Sequence, residues 1–185
     1  MRRSKALSAL LLLAAGTSAA ADRGYVAYTA PGNVFTCEIP KGWQAFGSET
    51  PFGSSVHVLG PAEEKGAWRA AIHVHFFQKS KPGFVPFDAM LKRERTPDVT
   101  THRQATVVTR WRVSRGSGRR FDVTETRLLP PDILPAKPVV LHHYYAMVPA
   151  GDGYFVIKLS STQEDYQRHR DDFDHLLSTF LITGY

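Results

Sequence analysis

The stretch from Val139 to Phe180 constrains the fold more than any other part of the chain. Residues 139–149 (VVLHHYYAMVP) are dense in branched and aromatic side chains, and residues 154–159 (YFVIKL) are of the same kind. Between them Ala150-Gly151-Asp152-Gly153 supplies residues that accept a tight reversal, so the two runs predict an antiparallel hairpin. Ser161-Thr162-Gln163-Glu164 then has the spacing of a helix capping box. Beyond it Tyr166, Phe173, Leu177 and Phe180 fall on one helical stripe, with Leu176 beside it. Gln167, Arg168, Arg170, Asp171 and Asp174 face the other way, and His169 and His175 are placed with them in solvent. A hairpin and one amphipathic helix cannot bury their own apolar faces. Further strands must complete a sheet beneath the helix.

The upstream chain supplies them. In residues 33–39, Phe35, Cys37 and Ile39 share one strand face, and Pro40-Lys41-Gly42 stops the run just before Trp43, which closes the core at the sheet end. Residues 48–54 are turn-rich. A short strand over 55–59 turns Val56 and Val58 inward and His57 outward. In residues 69–78, Ile72, Val74 and Phe76 alternate with His73, His75 and Phe77, so both faces of this strand need cover. Residues 85–95 predict a short helix with Phe87, Met90 and Leu91 inward, ended by Pro97. Residues 105–113 and 120–128 predict a second hairpin. Four prolines within 129–138 exclude helix and interior strand, so that segment is a stiff crossover.

The N-terminus has the pattern of a secretory signal. Arg2, Arg3 and Lys5 precede an apolar run over 6–15, too short to span a bilayer, and small residues follow at 18–21. Cleavage after Ala20 or Ala21 leaves residues 22–185 as one α/β domain of an exported, periplasmic-type protein. No later stretch is apolar enough for a transmembrane span. The whole chain carries +6. Three of its 23 basic residues and none of its 17 acidic ones lie in the signal, so 20 basic face 17 acidic residues afterwards, a mild +3. That balance, together with export, argues against nucleic acid as a partner. Cys37 is the only cysteine, which excludes an intrachain disulfide. Its place among apolar strand positions predicts a buried, inert thiol.

Three pieces of the chain together resemble the PsbP-like family, which also includes bacterial envelope proteins of the DcrB type. One is the early strand running into Pro40, Gly42 and Trp43. Another is the strand over 70–78 followed by the helix over 85–95. The last is the closing hairpin and helix ending in Leu176-Leu177-Ser178-Thr179-Phe180. The resemblance implies an α+β fold, an α/β/α sandwich around a single antiparallel sheet with the C-terminal amphipathic helix packed on it. It implies little about activity, and no residue pattern here carries over a photosystem metal or chloride role.

Two sets of residues carry candidate chemistry. His73 and His75 leave one strand face about 7 Å apart, near enough to share a cation. His57 lies on a neighbouring strand, and His142 or His143 adds a further nitrogen according to register. Three imidazoles would suit zinc or copper. The second hairpin carries Arg110, Arg112, Arg115, Arg119 and Arg120, interleaved with Trp111 and Phe121. This patch would hold an anionic envelope surface or an acidic partner protein. A pocket between sheet and helix lined by Trp111, Tyr144 and Tyr145 is a third possibility. No constellation for catalysis is visible, because GxSxG, CxxC, HExxH and a phosphate-cradling glycine loop are all missing. The sequence thus describes a non-enzymatic envelope binding protein, with a zinc- or copper-binding module as the alternative and no other cofactor.

Overall fold

The computed structural model describes residues 24–61, 68–113, 116–130 and 135–184. The expected signal segment, Arg115 and residues 131–134 of the proline-rich segment lie outside them. Strands β3 (Gln44–Thr50), β4 (Gly53–Leu59), β5 (Ala71–Gln78), β6 (Gln104–Ala105), β7 (Thr109–Val113), β8 (Gly116–Leu129), β9 (Lys137–Ala150) and β10 (Gly153–Thr162) form an antiparallel sheet. Its order is β3-β4-β5-β10-β9-β8-β6, with β7 also paired to β8. The expected hairpins are β7–β8 and β9–β10, but the expected crossover between them is corrected. Strands β8 and β9 are antiparallel neighbours, with Leu129 opposite Lys137 and Pro138 inside β9 opposite Leu128, so the proline-rich segment joins adjacent strands.

Two helices sandwich this sheet. Helix α2 (Tyr166–Thr179) lies on one face, where Phe173, Leu176 and Leu177 meet Val56, Ile72, Val74, Phe155, Ile157 and Tyr144. Burying each large apolar side chain stabilises the fold by roughly 1.5–3 kcal/mol, so this helix is tied to the sheet by packing rather than by propensity. Helix α1 (Phe87–Glu94) covers part of the other face, with Met90 buried against Phe77, Tyr145, Tyr154 and Val156.

The expectation of a single sheet requires correction. Strands β1 (Tyr25–Thr29), β2 (Phe35–Pro40) and β11 (Leu181–Ile182) form a separate three-stranded sheet. The backbone of β2 is satisfied by β1 on one side and by β11 on the other. It therefore stacks Phe35, Cys37 and Ile39 onto the α2-side core instead of extending the large sheet. Gly42, at φ 87°, turns the chain out of this layer and into β3.

The capping box is not used either. Ser161 and Thr162 still belong to β10, and Asp165 stands at the N-cap without a side-chain capping bond. Thr162 Oγ1 instead bonds Asp165 Oδ2 at 3.0 Å and accepts the Asp165 N–H at 3.3 Å, which tightens the strand-to-helix turn. His169 is buried rather than solvated, edge-on to Trp43 at 5.4 Å. His175 contacts Glu38 Oε2 at 2.6 Å and stacks on Tyr25.

Candidate functional site

Strand alternation gives the large sheet two unlike faces. The face under α2 is dry and aromatic. On the α1 face, Phe121, Tyr145, Lys158, His73 and His57 lie abreast across β8, β9, β10, β5 and β4. One rung along, Val123, His143 and Ser160 lie abreast, with Glu125 next on β8. Helix α1 covers only part of this face. Beside it remains a cleft of about 740 Å³, whose lining includes Trp68, Glu94, Arg103, Glu125, Arg127, His143, Lys158 and Ser160. A smaller cavity of about 210 Å³ continues under α1, sharing Glu94, Tyr145 and Lys158.

The acidic groups of the cleft are saturated. Glu125 is buried, and its carboxylate meets Arg103 Nη1 at 2.6 Å, Arg127 Nε at 2.9 Å and His143 Nε2 at 3.3 Å. The His143 hydrogen bond, and then the two guanidiniums, hold Glu125 far below the usual carboxylate range. Burial lowers the pKa of His143 against the opposing pull of Glu125, and its Nε2 lies within reach to donate to that carboxylate. Glu94 accepts the Tyr145 hydroxyl at 3.1 Å, and its backbone carbonyl accepts Arg103 Nη2 at 2.7 Å. Lys158 differs. Its ammonium sits 5.9 Å from the centroid of the Tyr145 ring, and among the described residues no acceptor pairs with it. Burial lowers its pKa.

Next to the cleft, His57 Nδ1 and His73 Nδ1 lie 2.7 Å apart, so one ring donates to the other. His75 completes a cluster, its ring centroid 5.7 Å from His57 and 6.1 Å from His73. Burial is the main cause that pushes His73 down to about 3 and His75 down to about 4, so all but strongly acidic solutions leave both neutral. His142 does not join them. It lies on the opposite sheet face, stacked on Tyr166 at 3.5 Å, because successive strand residues alternate. Among the described residues, no group of three or more His, Cys, Asp or Glu side chains is arranged to hold a metal ion.

The arginine hairpin divides in the same way. Arg110 stands opposite Arg119 and Arg112 opposite Ser117, which puts these three arginines on the α1 face. Arg120 points to the α2 face, with its guanidinium 4.0 Å over Trp111 and 3.4 Å from Asp174 Oδ1. Arg120 and Trp111 therefore serve the fold of the α2 side. Arg115 lies outside the described residues. Tyr144 and Trp111 face α2 whereas Tyr145 faces α1, so the three do not line one pocket; Trp111 instead borders a cavity of about 520 Å³ against α2, with Arg112, Arg120, Asp174 and Leu177. The residues missed by sequence reasoning are Glu94, Arg103, Glu125 and Lys158, while His143, considered there as a metal ligand, instead faces Glu125. One signal was available: a lysine inside the apolar run YFVIKL, since lysine is rarely placed in a central strand without a use.

No protein-family model matches the chain. No curated protein matches it either. Among solved structures, a point mutant of the protein Mog1 is similar at 11% identity, covering 86% of this chain and 96% of that one, with a TM-score of 0.50. This likeness shows the fold, α+β with a large antiparallel sheet and two helices. The cyanobacterial PsbP of Synechocystis, CyanoP, is similar at 12% identity, covering 89% and 96% of the two chains, with a TM-score of 0.45. LpqN of Mycobacterium tuberculosis, described as involved in cell envelope biogenesis, is similar at 10% identity, covering 86% and 91%, with a TM-score of 0.47. The neighbours share the PsbP-like fold. Likeness at these identities concerns architecture and not what is bound.

Proposed function

We propose that this protein is a non-enzymatic, exported accessory protein of the cell envelope. It binds a partner protein or the anionic envelope surface through the arginine side of its α1 face. One observation carries this reading. Arg110 and Arg119 stand directly opposite each other on β7 and β8, with Arg112 on the same face. Like charges in that register destabilise a strand pair. Arg110 and Arg112 are exposed, and among the described residues neither has a carboxylate partner. A negative counter-surface supplied from outside relieves this repulsion. The absence of catalysis is supported by two groups already spent on structure. Glu125 is held by three donors, and the buried Cys37 thiol is pushed up to about 12, too high to supply a thiolate.

The test is co-sedimentation with phosphatidylglycerol vesicles, alongside pull-down from envelope extract, for the wild type and for Arg110→Glu/Arg112→Glu/Arg119→Glu. The variant is expected to lose at least about tenfold in binding, at roughly 1 kcal/mol per basic residue near an anionic surface. It keeps its melting temperature, since the replaced side chains lie at the surface. Unchanged binding by a folded variant overturns the reading.

A second reading is a zinc or copper site at His57, His73 and His75: the Nδ1 atoms of His57 and His73 lie 2.7 Å apart, and the rings would have to turn out of that hydrogen-bonded arrangement to converge on an ion. Calorimetry with Zn²⁺ and Cu²⁺ decides it. No heat, or equal heat from a His73→Ala/His75→Ala variant, removes it.

A further inference from the structure

The cleft beside α1 holds hydrogen-bonding groups, the Lys158 ammonium and the Trp68 indole N–H among them, that the protein itself does not use. Its five fully ionisable groups are Arg103, Arg127 and Lys158 against Glu94 and Glu125, one positive charge in excess. Both carboxylates are already engaged by Arg103, Arg127, His143 and Tyr145. Lys158 is not. Three further polar atoms on the lining residues are buried without a partner: Trp68 Nε1, Ser160 Oγ and His143 Nδ1. Ser160 and His143 are 2% and 4% exposed and stand opposite each other on β10 and β9. A buried polar group left unpaired costs about 1–3 kcal/mol, and several such groups around one cavity mark a place where something else supplies the bonds.

The chemistry of those groups selects the ligand. Lys158 and Trp68 can only donate, and Ser160 can donate or accept. His143 presents Nε2 to Glu125, which leaves Nδ1 as an acceptor in the neutral ring. A single negative charge balances the excess, whereas a dianion does not. The indole of Trp68 and the side chains of Leu128 and Leu129 add an apolar wall. We propose that this cleft is a binding site for a small organic acid, its carboxylate on Lys158 and its hydrocarbon or aryl part against Trp68 and Leu128–Leu129. The site lies apart from Arg110, Arg112 and Arg119, so it stands or falls independently of the vesicle reading.

The experiment is a two-dimensional ¹H–¹⁵N titration of the labelled protein with a panel of aliphatic and aryl carboxylic acids. Each acid is paired with its primary amide and, where available, with the matching phosphate monoester. The indole N–H signals of Trp43, Trp68 and Trp111 are separate reporters. Acids from the panel are expected to shift the Trp68 indole and leave those of Trp43 and Trp111 in place, with affinity at least about tenfold above the paired amides, the worth of a charge-assisted hydrogen bond. Lys158→Met is expected to abolish that preference and Lys158→Arg to retain most of it, which separates lost charge from lost packing. Three outcomes overturn the proposal: no acid moves the Trp68 indole, acids and amides bind alike, or phosphate esters bind as the sole class.

Discussion

At the scale of single residues, pH separates the two buried ionisable clusters. Glu125 is held down by His143, Arg127 and Arg103, so its folded value lies below the ordinary 4.5. Its contribution is therefore complete above pH 4.5 and is lost as acid carries the solution down toward the lower folded value. Glu125→Gln is expected to cost about 2 kcal/mol in urea unfolding at pH 7 and to flatten the loss of stability below pH 4.5. A cost under about 0.5 kcal/mol contradicts the three-donor description. His73 and His75 act in a higher window. Both titrate near 6.5 when unfolded and are held to about 3 and about 4 by burial in the fold. Between pH 6.5 and 4 the unfolded chain takes up protons that the native state refuses, so stability falls as pH falls. His73→Gln/His75→Gln is expected to reduce that slope in urea midpoints measured between pH 7 and 4.5. An identical slope contradicts it.

At the scale of elements, helix α2 is bound by its apolar face. Phe173 and Leu176 are fully buried, and Phe173→Ala is expected to cost about 3–5 kcal/mol by denaturant unfolding. The Glu38–His175 contact at its outer side is part-exposed, and Glu38→Gln is expected to cost less than about 1 kcal/mol. Equal costs for the two substitutions would contradict a helix held by burial. This helix was legible in the sequence because its stripe is regular, as was the β9–β10 hairpin, whose reversal needs Gly153. A Cβ at Gly153 would meet the Phe77 carbonyl oxygen of β5. Strand β3 was not legible: QAFGSET is polar, and as the edge of the sheet it pairs only with β4. Phe46 on it is left exposed, so no alternation marks it. The cleft was not legible for a different reason. Glu94, Arg103, Glu125, His143 and Lys158 come from five separate segments, and each alone reads as a solvated polar residue until the register brings them together. The arginines were legible as a group, but only pairing could show that Arg120 leaves it for Asp174.

At the scale of the whole molecule, one sheet separates a dry side from a wet one. Under α2 and the small sheet lie Phe35, Phe76, Phe155, Phe173 and Phe180. On the α1 side lie the histidine cluster, the charged cleft and the three same-facing arginines. Work is assigned to the α1 side because Lys158 and the exposed Arg110 and Arg112 have no carboxylate partner among the described residues, whereas Arg120 and Arg170 on the α2 side are paired with Asp174. Hydrogen–deuterium exchange in the presence and absence of phosphatidylglycerol vesicles reads both sides at once. Slower exchange is expected in β7, the first half of β8 and α1, with α2 and β2 unchanged. Protection of α2 and β2 with none at β7 and β8 would contradict the assignment of the working surface to the α1 face.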